Sequence, residues 1–104
     1  MRQGNENFKD DPSNEWWEID RRLIRKIGAN ASILYAEILQ RVKFTEGSFY
    51  FSSKEIEEAT GLCKNAQLRC REILRKAGLI KEKAGAKVLF TIDSECYSNY
   101  EAFI

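Results

Sequence analysis

Lys64, Asn65, Gln67, Leu68 and Arg69 fall within six consecutive residues and carry the side-chain chemistry that reads duplex DNA. Asn and Gln can pair bidentately with adenine and Arg with guanine, each good pair discriminating by about 1–3 kcal/mol. Leu68 can meet a thymine methyl or the apolar surface of a protein partner. Lys64 is suited to a phosphate. Gln67 has two readings of equal standing, a base reader or a polar group tucked beside the preceding turn. Further along, Arg71, Arg75 and Lys76 can reach phosphates or lie solvated along the helix with their stems on apolar surface. Lys81, Lys83 and Lys87 flank Ala84-Gly85-Ala86. A tip of three small residues can touch a phosphate or a minor groove but has little with which to read bases.

The charge distribution supports that reading. The 104-residue chain has a net charge of only +1. Residues 61–88 nevertheless hold eight Lys/Arg against two acids, whereas residues 1–60 hold nine against eleven and residues 89–104 none against three. A net positive charge confined to one segment is what an electrostatic footprint for phosphate requires.

Other chemistries have less to work with. There is no histidine, and no Ser or Cys stands beside a matching base, so an enzyme is not expected. Glu55, Glu57 and Glu58 cluster at a helix start, where capping and solvent account for them. Gly61 and Gly78 end helices and do not build a phosphate loop. Cys63 and Cys70 are separated by about 10 Å along one helix, too far for a disulfide. No C-x-x-C supplies a zinc site, and no cofactor is expected. The polar N-terminal residues and the lack of a long apolar run predict neither a secretory signal nor a membrane span, and the expected setting is reduced and cytoplasmic.

These side chains need elements to position them. Residues 1–14 hold the single proline and much of the Asn and Asp, and are expected to form a loose tail before an ordered domain over 15–104. Trp16 and Trp17 begin that domain, one packed on the main helix and the other covering a surface. Asp20 is expected to cap a helix over 21–27 with Leu23, Ile24 and Ile27 on one face, stopped by Gly28. Asn30 or Ser32 is expected to cap the next helix, whose Ala31, Leu34, Tyr35, Ile38, Leu39 and Val42 repeat at three and four. Glu37, Gln40, Arg41 and Lys43 fall on its other side. Phe49-Tyr50-Phe51 reads as a short strand. Ser52 and Glu55 form a capping box for a two-turn helix with Ile56 and Ala59 inward. The helix over 64–77 presents Ala66, Cys70, Ile73, Leu74 and Ala77 to the core. Residues 80–83 and 87–92 make a hairpin, and Tyr97, Tyr100 and Phe103 suggest one or two further helical turns or a segment packed back on the body.

The order helix, helix, strand, helix, helix, strand, strand predicts a mainly α fold with a small β wing, a winged helix-turn-helix. The chain resembles the N-terminal winged-helix domain of phage and plasmid replication proteins, the replisome-organiser and replication-initiator group. The resemblance spans about Trp17 to Asp93. It rests on Ile19-Asp20, Ile27-Gly28-Ala29-Asn30-Ala31 running into Ile33-Leu34-Tyr35, and Phe49-Tyr50-Phe51 before Ser52-Ser53. Gly61-Leu62, the Leu74-x-x-x-Gly78-Leu79-Ile80 ending and Phe90-Thr91-Ile92-Asp93 complete it. The chain departs from the pattern at Cys63, where a Ser or Thr cap is usual, and at Gln67 and Arg71, where a β-branched residue and a leucine are usual. The resemblance implies double-stranded DNA as partner, bound through the second helix of the pair by self-associating proteins. It also implies a possible replication-protein partner, and replication and transcriptional control both stay open. The competing expectation is a winged helix used for protein assembly, with Leu68, the tryptophans and the C-terminal aromatic residues as its contacts.

Overall fold

Gly28 alone separates the first two helices. Its φ of 89° and ψ of 166° are costly for any residue with a Cβ. Its N–H donates to the Ile24 carbonyl (2.8 Å), closing α1 (Arg21–Ile27). Its own carbonyl accepts from the Ser32 backbone N–H (3.2 Å) and the Ser32 hydroxyl (2.8 Å), opening α2 (Ala29–Val42). Neither Asn30 nor Ser32 therefore caps α2. Ser32 is buried inside the helix and bonds backward, and Asn30 lies exposed within the first turn. The computed structural model describes residues 16–104, so the tail expected over 1–14 lies outside the described residues.

The remaining elements are β1 (Ser48–Tyr50), α3 (Ser53–Thr60), α4 (Lys64–Lys76), β2 (Lys81–Lys83), β3 (Leu89–Thr91) and α5 (Ser94–Phe103). The strands form an antiparallel sheet in the order β1-β3-β2. Ser48 pairs with Thr91, Phe49 with Phe90 and Tyr50 with Leu89 on one side of β3. On the other, Lys81 pairs with Thr91, Glu82 with Phe90 and Lys83 with Leu89. A helical core followed by this strand–strand wing is a winged helix-turn-helix.

α2 runs through the middle, packed against α1, α3 and α4. Leu34, Ile38, Ile56, Leu74, Leu79 and Phe90 are fully buried between the helices and the sheet. Phe90 anchors the sheet to that core, stacked on Phe51 at 4.7 Å and tilted against Phe49 at 5.8 Å. Ser52 Oγ accepts from the Glu55 N–H, forming half of the expected capping box, while the Glu55 carboxylate reaches toward Arg41 at 3.6 Å.

Four positions depart from the expected faces. Ile24 is exposed because α1 meets α2 along Leu23 and Ile27, the i and i+4 pair. Ala59 is exposed, its inward place taken by Leu62 beyond the end of α3. Ile73 sits at the edge of the buried stripe of α4 and is 40% exposed. Glu37, expected on the solvent side of α2, is buried. The Trp17 indole N–H donates to one of its oxygens (3.0 Å) and Arg41 Nε to the other (2.6 Å). Trp17 is accordingly half-buried while its neighbour Trp16 is exposed.

The C-terminal residues form a full ten-residue helix, longer than expected. The Asp93 carboxylate caps it, accepting from the Cys96 N–H (3.0 Å), and also takes the Lys81 ammonium (2.7 Å). Lys81 and the cap together hold the Asp93 carboxyl down at about 2. Tyr100 stacks on Tyr35 with ring centroids 5.6 Å apart, and burial raises both phenols. Asn99 Nδ2 donates to the Gly78 carbonyl (2.9 Å) and fills the space that a Cβ at residue 78 would need.

Candidate nucleic-acid interface

The N-cap of α4 is Cys63, which offers no side-chain hydrogen bond to the helix start. At 100° per residue, Ala66, Cys70 and Leu74 turn to the core. Lys64, Asn65, Leu68, Arg69, Glu72, Arg75 and Lys76 turn outward. Lys64, Asn65, Leu68 and Arg69 thus occupy the exposed early turns together. Leu68 is 49% exposed near the centre of that surface.

Gln67 does not join them. It is 1% exposed, and its amide donates to the Ser53 carbonyl (3.0 Å) and the Leu62 carbonyl (2.8 Å). Of its two readings, the tucked polar group is the one the geometry realises, and a base-reading Gln67 is set aside. Arg71 is likewise drawn inward. Its guanidinium bonds both oxygens of Glu82 (3.2 and 2.9 Å) and lies over the rings of Phe51 (4.8 Å) and Phe90 (5.2 Å). An arginine in that arrangement clamps α4 to the wing and is not presented to phosphate.

The eight cations of residues 61–88 divide in two. Besides Arg71, three have acid partners: Arg75 approaches Glu82 at 4.0 Å, Lys76 meets Glu72 at 3.1 Å, and Lys81 bonds Asp93 and Glu95, both at 2.7 Å. Those two carboxylates raise the Lys81 ammonium above its ordinary range and tie it to the start of α5. Lys64, Arg69, Lys83 and Lys87 have no acid partner among the described residues. The first two begin α4, and the other two flank the wing tip.

Two features escaped the reading of the residues. Tyr50, treated there only as part of an aromatic strand, is 63% exposed between two inward phenylalanines. The two-residue period of Phe49-Tyr50-Phe51 was the available signal. In addition, α1 carries Arg21, Arg25 and Lys26 on its exposed surface, a cationic cluster hidden by summing charge over residues 1–60.

Away from the basic helix, an open groove of about 670 Å³ lies between the end of α2, β1 and α3, with Phe44, Glu55 and Glu58 on its walls. All three cysteines are free. Cys63 is exposed, and burial raises the thiols of Cys70 and Cys96. Among the described residues no three His, Cys, Asp or Glu side chains are grouped so as to hold a metal ion. No described helix is long and apolar enough to cross a membrane.

Comparison of the chain with family models, with curated proteins and with solved structures returned no match. The architecture is that of a generic winged helix, and a fold of this kind can serve DNA binding or protein assembly.

Proposed function

We propose that this chain binds double-stranded DNA, with the early turns of α4 in the major groove and the wing tip on the flanking backbone. The observation that carries this reading is the division of the basic residues. Of the eight cations of residues 61–88, the four without acid partners are those that a helix-and-wing footprint would need, at the start of α4 and beside the tip. In this arrangement Lys64, Lys83 and Lys87 take phosphates, Asn65 and Arg69 reach base edges, and Leu68 meets a thymine methyl. Specificity comes from pairing of copies on repeated or palindromic sites. The role is one of binding, not catalysis, and the setting is replication or transcriptional control of a phage or plasmid.

A titration followed by fluorescence anisotropy, on a random duplex of about 30 base pairs from about 50 to 200 mM salt, tests the reading. Three phosphate contacts give a log–log salt slope of about −2.7, a loss of roughly 40-fold across that range. Lys64→Ala/Arg69→Ala makes the slope shallower by about 1, through the lost Lys64 phosphate. No binding at the lowest salt with tens of micromolar protein overturns duplex binding. The half-exposed Leu68 then favours the second reading, in which the outward surface of α4 docks a protein.

A further inference from the structure

Duplex binding engages the lysines beside the wing tip but leaves the rest of the outer surface of the three-stranded sheet unused. Register sets Tyr50, Leu89 and Lys83 in one row across β1, β3 and β2. Glu82 is turned toward α4, where Arg71 bonds it, so the strand period turns Lys83 to the opposite side. The same period turns Tyr50 outward from the buried Phe49. With Lys87 and the Ala84-Gly85-Ala86 tip, this row lines a depression of about 400 Å³. That volume lies within the roughly 300–1,000 Å³ of sites that take small organic ligands.

The geometry points to a subsite for one unpaired nucleotide, with its base on the Tyr50 ring and its phosphates between Lys83 and Lys87. The two lysines select an anion, and neither is neutralised by an acid among the described residues. The exposed ring with Leu89 beside it selects a flat apolar group. A nucleotide joins both features in one ligand. Paired bases have their ring faces covered by their neighbours, so a continuous duplex supplies phosphate to this surface but nothing for the ring. An unpaired strand supplies both. Because the row faces away from α4, a strand reaches it by leaving the duplex and passing the wing tip. The small tip, which has little with which to read bases, thereby gains an aromatic group from β1. The inference rests on the proposed duplex binding only for how the strand arrives.

Three labelled probes separate the two ideas: a blunt duplex, the same duplex with a short unpaired extension of either polarity, and an oligo(dT) single strand. Each is titrated against the unaltered chain, Tyr50→Phe and Tyr50→Ala. Removing an aromatic ring under a stacked base costs roughly five- to hundredfold in affinity. The extended duplex is expected to bind about tenfold more tightly than the blunt one, within that range. Tyr50→Ala abolishes the gain and keeps the blunt-duplex affinity. Tyr50→Phe retains the gain, because stacking needs the ring and not the hydroxyl. A 2-aminopurine in the extension is quenched by the unaltered chain and not by Tyr50→Ala. Equal affinity for blunt and extended probes, or a gain that survives Tyr50→Ala, overturns the subsite while leaving duplex binding in place. Failure of the blunt duplex to bind overturns the duplex reading instead; Tyr50-dependent oligo(dT) binding then upholds the subsite, and its absence overturns that too.

Discussion

Two carbonyls depend on the Gln67 amide, those of Ser53 at the start of α3 and Leu62 in the turn before α4. The Leu62 carbonyl lies between the two helices and the Ser53 carbonyl in the first turn of α3, so the side chain fastens the helix-turn-helix corner from inside. Its Oε1 is buried without a partner, which makes the arrangement costly and the two donated bonds more necessary. Gln67→Ala should lower unfolding free energy by about 1–3 kcal/mol, because it strands the buried Leu62 carbonyl. Urea unfolding checks this, with a lower midpoint and an unchanged slope. DNA affinity measured well below that midpoint should stay at the wild-type value, whereas a base-reading Gln67 would lose affinity at its cognate site. Sequence left this residue ambiguous for a physical reason. Its helical position shares the core stripe of Ala66, Cys70 and Leu74, while its polarity argues for solvent. The deciding carbonyls belong to other segments, one of them fourteen residues away. Arg71 was unreadable for the same reason, since its partner Glu82 lies across the turn into the wing.

Helix boundaries were far more legible, because local chemistry sets them. Asp20 caps α1 as expected, and Gly78 ends α4 in a Schellman turn, with its N–H on Arg75 and that of Leu79 on Leu74, both at 3.0 Å. The caps of α2 were misassigned because Gly28 serves two helices at once, which no polar side chain announces. Cys63 is the weak cap among these elements. Cys63→Ser supplies an acceptor to the first turn of α4 and should add about 0.5–1 kcal/mol, raising the melting temperature by a few degrees. Cys63→Asp should stabilise comparably yet weaken duplex binding, since it sets an anion beside Lys64. Parallel melting curves and titrations of the two variants distinguish the cap from the charge. The acidic caps make a further prediction. The Arg22 guanidinium and N–H hold the Asp20 carboxyl at about 2, and Lys81 with the α5 cap does the same for Asp93. A carboxyl lowered in the folded state stabilises above its unfolded pKa of about 3.9 and loses that contribution as pH falls through its folded value. Stability should therefore hold from neutrality to about pH 5 and fall between about pH 4 and 2. Asp20→Asn/Asp93→Asn should flatten that acid limb in urea titrations; a limb of unchanged steepness would place the acid sensitivity elsewhere.

Across the whole molecule, a net charge of +1 conceals three unlike surfaces: the basic start of α4 with the wing tip, the cationic outer side of α1, and the groove edged by Glu55 and Glu58. Composition summed over long blocks located the first and cancelled the second, because charge becomes a surface only after the helices are oriented. Two pairs of cations therefore allow a comparison at constant net charge. Lys64 and Arg69 stand at the proposed contact, whereas Arg21 and Arg25 stand on α1, which packs on α2. Each alanine pair removes two charges and leaves the core untouched. If affinity followed the overall field, both pairs would weaken binding alike, since steering depends on summed charge. If it follows direct phosphate contact, Lys64→Ala/Arg69→Ala should reduce the salt slope by about 1, through Lys64, and Arg21→Ala/Arg25→Ala should leave it unchanged. The slopes decide more cleanly than the affinities, because each counterion released corresponds to a neutralised phosphate. A slope change shared equally by the two pairs would remove α4 from its privileged position and make α1 a second edge of the binding surface.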